Sequence, residues 1–281
     1  MQATGFLDRF NPIDYKQNAL EYFKSNIVKT YFKNYLSIAG NIALFSRRFF
    51  KEILKPGFEF KEFIRQCFVV GYQSLPLVTI TAFIMGLVLT IQSRPAMARF
   101  GAESMIPGMV SLSLIREIAP VITALICAGR VSSGIGAELG SMKVTEQIDA
   151  MEVSAINPYR YLVITRTLAT TLMIPVLVLY ADLIGIIGGF IGINMHSESN
   201  LEHYFSHVFQ SLEYEDILPA IIKTFFFGFF IGIIGCYEGF NASGGTKSVG
   251  KAANSAVVSA SLIIFIIDLI AVQITDLFFE L

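Results

Sequence analysis

Residues Ser113–Val153 read SLIREIAPVITALICAGRVSSGIGAELGSMKVTEQIDAMEV, an apolar run interrupted by Arg116, Glu117 and Arg130. A charge in the middle of a bilayer costs roughly 2.5 to 3.5 kcal/mol on insertion scales, so an Arg–Glu pair inside such a run is expected to face a cavity, a polar ligand or a partner helix. Arg116 and Glu117 are therefore candidate functional residues. The alternative is a buried ion pair that holds two helices together.

The composition of the whole chain is typical of an integral membrane protein. Of its 281 residues, 54% are hydrophobic and 15% are charged, whereas roughly a quarter are charged in soluble proteins. Cys67, Cys127 and Cys236 all lie inside apolar segments, which indicates neither a disulfide framework nor a metal site. We expect no metal or cofactor in this chain and no nucleic-acid partner.

Five apolar runs are long enough to cross about 30 Å of hydrocarbon. They are residues 66–93, 104–137, 161–195, 217–237 and 252–275. Charged residues inside the later runs include Asp182, Lys223 and Asp268. Each aspartate is expected either to line a cavity or to form an ion pair with Lys223 or Arg116. No repeat or linker divides the runs, so residues 35–281 are predicted to form one all-α membrane domain behind a polar segment, residues 1–34.

A helix that lies along the membrane surface is predicted just before the first run, over residues 36–55. Its apolar residues recur at steps of three and four, with basic residues between or beside them, which is the pattern of an amphipathic interfacial helix. The apolar positions are Ile38, Ile42, Phe45, Phe49 and Ile53. The alternative is a helix packed on the cytosolic ends of the other helices.

The distribution of basic residues predicts the orientation. The first 65 residues contain eleven Lys and Arg, whereas residues 196–215 contain none. By the positive-inside rule the N-terminus is cytoplasmic, and five spans then place the C-terminus outside. Arg94 and Arg99 fall in the first outer loop and do not fit this pattern.

Several motifs resemble the signature of the MlaE/YrbE family, the permease subunits of ABC transporters that move phospholipids between the inner and outer membranes of bacteria. The similarity extends over roughly residues 35 to 275. Its motifs are Arg116–Pro120, Ala128–Arg130, Ala137–Gly140, Met142–Val153, Asn157–Pro158, Gly239–Gly245 and Val249–Ala253. The resemblance implies an interfacial helix plus five transmembrane helices, paired as a homodimer in the bacterial inner membrane. It also implies a cytosolic ATPase, often a small STAS-domain subunit, and a periplasmic MCE-domain protein.

The polar segment 141–153 resembles the family's coupling helix, which docks into a groove on the ATPase. On one continuous helix, Val144, Ile148 and Met151 would form an apolar stripe beside an acidic row. The residues predicted to contact the ATPase are Val144, Glu146, Gln147, Ile148, Asp149, Met151 and Glu152. No nucleotide-binding motif is present in this chain, so ATP and Mg are expected in the partner ATPase.

The predicted substrate is a diacyl phospholipid, which needs apolar walls for its acyl chains and cationic or hydrogen-bonding groups for its phosphate. Arg116, Glu117 and Lys223 are the predicted substrate-binding residues, because they lie at similar depths in their spans. The sequence contains neither a nucleophile with a base nor a paired-carboxylate metal site. We therefore do not expect an enzyme. The alternative function is a proton-coupled secondary transporter of a lipid or amphiphile, with Glu117, Asp182 and Asp268 as a proton relay.

Overall fold

The computed structural model describes residues 37, 39–195 and 200–279. Contacts divide the chain into two units, residues 1–48 and 49–281. In the first unit, residues 39–48 are helical, and Ser46 Oγ donates a hydrogen bond to the Ile42 carbonyl oxygen at 2.9 Å. The predicted polar segment 1–34 lies outside the described residues. In the second unit, the regular elements of the described residues are all helical.

Helix α1 covers residues 39–53, within the predicted range of 36–55. In the second unit, the rings of Phe49 and Phe50 pack on Phe229, with centroid distances of 5.4 and 5.6 Å. The Glu52 carboxylate accepts a hydrogen bond from Asn157 Nδ2 at 3.3 Å. The end of α1 is therefore held by both an aromatic and a polar contact, while its position at a membrane surface stays a prediction.

Five helical stretches of the described chain are long and apolar enough to span a membrane. The first joins α2 (Phe60–Gly71), a 3-10 turn (Tyr72–Ser74) and α3 (Leu75–Arg99). The second runs through a 3-10 turn (Glu103–Met105), α4 (Ile106–Ser113), a π turn (Leu114–Ile118), α5 (Ala119–Cys127), a π turn (Ala128–Ser132) and α6 (Ser133–Val144). The third joins a π turn (Tyr159–Ile164) to α8 (Thr165–Asn194), and the last two are α10 (Tyr214–Phe240) and α11 (Thr246–Phe279).

These five spans confirm the predicted all-α membrane fold. Two short helices, α7 (Gln147–Val153) and α9 (Leu201–Gln210), lie in connections between the spans. The helices extend beyond the apolar runs, since backbone hydrogen bonding continues through charged flanking residues such as Lys61 and Glu62. Hydropathy locates the apolar centre of a span and underestimates its length.

Close packing of backbones around α8 organises the spans. A Cβ atom built on Gly86 would lie 1.8 Å from the Gly185 carbonyl oxygen, and one on Gly188 would lie 2.3 Å from the Phe83 carbonyl oxygen. Only glycine permits α3 and α8 to approach so closely, as in other small-residue interfaces between membrane helices. On the α10 side of α8, a Cβ on Gly228 would lie 2.5 Å from the Thr170 carbonyl oxygen. Helix α8 therefore packs between α3 and α10.

The connections gather at two ends of the second unit. At the end called here the near end, α6 leads into the loop 145–158 and also packs on the loop 241–245, since a Cβ on Gly140 would lie 3.4 Å from Ala242 Cβ. At the far end, α9 packs on α4, and Tyr204 is buried with its hydroxyl donating to the Ile186 carbonyl oxygen at 3.1 Å. The first turns of α10 also start at the far end, which places Lys223 in that half of the bundle.

Candidate functional site

The charged segment of the second span forms a widened, π-helical turn. Leu114–Ile118 contains both Arg116 and Glu117. Pro120 lies four residues after Arg116; it has no N–H, and its ring clashes with the carbonyl group four residues earlier, so the ordinary α-helical hydrogen bond is lost there. The proline therefore gives a local reason for the wider backbone. Single π turns within α-helices are frequent at functional sites.

Lys223 lies at the centre of an ion cluster formed by three spans. Its Nζ atom is 2.8 Å from Glu117 Oε2 in the π turn and 2.9 Å from Asp268 Oδ1 in α11. The Lys223 side chain is only 5% exposed, whereas that of Glu117 is 43% exposed. Two carboxylate partners offset the cost of burying the ammonium group. This cluster joins the second, fourth and fifth spans.

Arg116 belongs to a second ion pair in the same region. Its Nε atom is 3.4 Å from Asp216 Oδ1. Asp216 also accepts the Glu213 backbone N–H through Oδ2 at 3.1 Å, as part of the capping box that starts α10. Asp216 and Lys223 lie on one face of α10, two turns or about 10 Å apart. The neighbouring Arg116 and Glu117 therefore contact two positions of the same helix face.

An apolar cleft of about 600 Å³ opens beside the ion cluster, between α10 and α11. Among the described residues that line it, Lys223 alone carries a charge. A polar pocket of about 30 Å³ adjoins the cleft and is lined by Arg116, Glu117 and Lys223, among others. The two spaces share Pro219, Lys223, Ala271 and Thr275. An apolar volume thus adjoins a charged one, with Lys223 at the boundary.

Asp182 lies apart from this cluster. It is buried in α8, and its Oδ1 atom has no hydrogen-bond partner among the described residues. The ion pairs of Lys223 and Arg116 in this part of the chain are with other carboxylates. Of the two aspartates, Asp268 therefore pairs with Lys223, and Asp182 pairs with neither cation.

The prediction of one continuous coupling helix over residues 141–153 is wrong. Helix α6 ends at Val144, and α7 begins at Gln147. Between them, Glu146 has a φ of 60° in the left-handed region, which interrupts the helix. Thr145 Oγ1 also donates back to the Ser141 carbonyl oxygen at 2.8 Å and helps to end α6. A periodic pattern of apolar residues does not reveal one left-handed residue.

The predicted apolar stripe is divided by this turn. Val144 ends α6, whereas Ile148 in α7 is buried and Met151 is partly buried, so Ile148 packs inward instead of facing a partner. Lys143 Nζ lies 2.7 Å from Asp149 Oδ1 and links the two helices across the turn. The exposed side chains of this segment include Glu146, Gln147, Asp149, Glu152 and Val153.

A family comparison identifies the fold that carries these features. The family model described as Permease MlaE matches residues 63–274. The chain belongs to the MlaE permease family. The matched residues reach into all five spans and include both the ion cluster and α7, which confirms the family indicated by the sequence motifs.

Curated relatives of this MlaE permease include transporter subunits of similar length. A probable ABC transporter permease protein of Rickettsia prowazekii is 42% identical over 241 residues, covering 86% of this chain and 92% of the relative. The intermembrane phospholipid transport system permease protein MlaE of Haemophilus influenzae is 33% identical over 213 residues, covering 75% and 81%. The chloroplastic protein TRIGALACTOSYLDIACYLGLYCEROL 1 of Arabidopsis thaliana is 32% identical over 243 residues, covering 86% and 67%. The chain is thus a multi-pass permease subunit.

Two arginines of this MlaE permease make contacts that the sequence analysis does not anticipate. Arg166 is 2% exposed, and its Nη2 atom is 2.8 Å from Glu138 Oε1. Arg130, in the second π turn, donates from Nη1 to Ser74 Oγ and from Nη2 to Gln73 Oε1, both at 2.6 Å. Arg166 is the single basic residue of the third apolar run. Its position inside that run is the sequence signal for the contact, because a charge in an apolar run requires a partner.

The far-end site combines charged groups with an adjoining apolar cleft. In the described residues, no group of three or more His, Cys, Asp or Glu side chains could hold a metal ion. The cluster makes ion pairs and hydrogen bonds between Arg116, Glu117 and Lys223 and their partners Asp216 and Asp268.

Proposed function

We propose that this MlaE permease is the membrane subunit of an ABC transporter that moves phospholipids between the inner and outer membranes of a bacterium. A phospholipid combines apolar acyl chains with a charged headgroup, so its site needs apolar walls beside polar groups. The 600 Å³ cleft that ends at Lys223, next to the charged pocket, carries this proposal. The name of the Haemophilus influenzae relative, a phospholipid transport permease, supports it.

In this proposal a separate cytosolic ATPase, which binds ATP and Mg, powers transport. Support comes from the rickettsial relative, whose name is that of an ABC transporter permease. The docking surface on this chain is the exposed part of α7 with the preceding turn. Its acidic members are Glu146, Asp149 and Glu152. Motion of the ATPase would pass through α7 into α6, because the Lys143–Asp149 ion pair links the two helices.

The proposed assembly is a homodimer in the bacterial inner membrane, with a periplasmic MCE-domain protein and, in some systems, a STAS-domain subunit. The excess of basic residues before the first span supports a cytoplasmic N-terminus and a periplasmic C-terminus. With that orientation the near end is cytoplasmic and the far end, with its ion cluster, is periplasmic.

A proton-coupled secondary transporter is the second candidate function. Asp182 favours it, because a buried carboxyl group without a partner at Oδ1 is a potential proton carrier within a span. The two functions differ in their source of energy, so one experiment can separate them.

The test is ATP-dependent transfer of a fluorescent phospholipid by the complex purified with its companion subunits and reconstituted in vesicles. Ala271→Trp fills the shared wall of the cleft and is expected to abolish transfer. Val258→Trp on the exposed face of the same helix is the matched control and is expected to retain it. An ionophore that collapses the proton gradient is expected to have no effect. Transfer that needs the gradient and not ATP would overturn the proposal in favour of the second candidate.

A further inference from the structure

The polar pocket beside the cleft contains more acidic than basic groups. Arg116 and Lys223 are its two cations, and they face four carboxylates. These carboxylates belong to Glu117, Glu215, Asp216 and Asp276. With all groups ionised the lining carries a net charge of −2, so a purely anionic headgroup meets net repulsion there while a headgroup that contains a cation is attracted.

The ion pairs already present strengthen this argument. Lys223 is held between Glu117 and Asp268, and Arg116 is paired with Asp216. A phosphate that approached Lys223 would therefore compete with two carboxylates. Glu215 and Asp276 are exposed residues at the pocket, so they can bind a ligand without disrupting a buried pair.

The size of the pocket limits the cation that can enter. Its volume of about 30 Å³ has room for one or two water molecules. A primary ammonium group is about the size of a water molecule, whereas a trimethylammonium group is several times larger and carries no N–H donor. The Lys223 ammonium, bound to carboxylates at 2.8 and 2.9 Å in the same cluster, shows the geometry that such a group adopts here.

We infer that this pocket binds the primary ammonium group of a zwitterionic phospholipid, such as one with an ethanolamine headgroup. The inference rests on the proposed function and specifies which phospholipid headgroup the site selects. The acyl chains of the lipid lie in the adjoining cleft. Arg116, whose side chain is 30% exposed, has guanidinium N–H groups to donate to the phosphate beside the ammonium.

The experiment compares three lipids with identical acyl chains, dioleoyl phosphatidylethanolamine, dioleoyl phosphatidylcholine and dioleoyl phosphatidylglycerol. Each is titrated into the delipidated full-length chain in detergent, and bound lipid is measured by native mass spectrometry. We expect the ethanolamine lipid to bind at least about tenfold more tightly than the other two, because its ammonium group can donate charged hydrogen bonds to the carboxylates.

Three variants assign the preference to the pocket. Glu215→Gln changes an exposed side chain, so folding is preserved, and Glu117→Gln keeps a hydrogen-bond acceptor for Lys223. Both are expected to reduce the preference for ethanolamine severalfold. Glu103→Gln makes the same chemical change at an exposed far-end residue outside the pocket and is expected to change nothing.

Each outcome has one meaning. Equal binding of the three lipids overturns the inference and leaves phospholipid transport standing. Preference for the glycerol lipid overturns it in favour of phosphate binding by the cations, and equal binding of ethanolamine and choline lipids overturns selection of a primary amine. Binding of none of the three contradicts the proposed function itself.

Discussion

Replacing Lys223 with methionine removes the cation that lies between Glu117 and Asp268. The Lys223 side chain is 5% exposed and Asp268 is 18% exposed, so both are largely desolvated, whereas Glu117 is 43% exposed and partly screened. Breaking a buried ion pair by removing one partner costs about 3–5 kcal/mol. Because Glu117 is partly screened by solvent, we expect the loss in free energy of unfolding to be near the lower limit of this range, about 3 kcal/mol.

The measurement is thermal unfolding of the full-length chain in detergent. A loss of about 3 kcal/mol corresponds to a decrease in melting temperature of roughly 6–12 °C for a chain of this size. The triple variant Lys223→Met, Glu117→Gln, Asp268→Asn removes all three charges and is expected to recover most of that decrease, because no unpaired charge remains. Lys247→Met, at an exposed near-end residue, is the control with the same chemical change and is expected to lie within about 1 °C of the wild type. The ion cluster is not the source of stability described above if Lys223→Met has the same melting temperature as the control. The same holds if the triple variant is less stable than Lys223→Met.

Three further predictions concern packing, a helix start and pH. Gly188→Ala places a Cβ 2.3 Å from the Phe83 carbonyl oxygen and is expected to prevent accumulation of folded protein. Gly134→Ala is the control, because a Cβ there has no atom within 4 Å, and it is expected to be neutral or slightly stabilising. Both are measured by the yield of folded protein and its melting temperature. Asn157→Ala removes the side-chain acceptor of two backbone N–H groups at the start of the third span and is expected to lower stability by about 1 kcal/mol in thermal unfolding. Burial raises the pKa of Tyr204 from 10.0 to about 12. Between these pH values the unfolded state loses the hydroxyl proton and the folded state keeps it. The contribution of Tyr204 to stability is therefore expected to be constant below pH 10 and to fall between pH 10 and 12. Between pH 10 and 12 the melting temperature of Tyr204→Phe is expected to fall less than that of the wild type, because the variant has no hydroxyl to ionise. An equal decrease in the two proteins would contradict this account.

Hydropathy was enough to predict the five spans, because crossing a bilayer imposes a minimum length of apolar sequence. It was not enough to place their ends, since the helix around Lys61 and Glu62 continues through charged residues. The turn at Glu146 was missed for another reason. Its positive φ is a property of a single residue that carries no compositional signature, and it divides the predicted coupling helix into the end of α6 and the separate α7.

For the candidate site, the sequence predicts the charged residues inside the spans but not all of their partners. Charges within apolar runs directed attention to Glu117 and Lys223, and the structure brings their side chains to 2.8 Å. The partner of Arg116 could not be predicted in this way. Asp216 lies in the polar first turn of α10, where a carboxylate is ordinary as a helix cap, and only the packing of two spans brings it to Arg116.

The acidic excess of the pocket cannot be predicted from the sequence patterns, which indicate phosphate binding by the cations. Glu215 and Asp276 are near the ends of two different spans and about sixty residues apart in sequence. Their common position beside Lys223 is a consequence of α10 and α11 packing together. Sequence patterns report which charges a span contains, while the balance of charge in a pocket depends on which helices are neighbours.

The most direct test of the central claim is copurification of an ATPase with this permease. The full-length chain is purified in mild detergent from native membranes, and Mg-dependent ATP hydrolysis is measured for the wild type and for Glu146→Lys with Glu152→Lys on the exposed surface around α7. Glu103→Lys with Glu202→Lys, two exposed far-end residues, is the charge-matched control. The account predicts that an ATPase accompanies the wild type and the control and is lost from the α7 variant. A folded wild-type protein that purifies without any ATPase would contradict it.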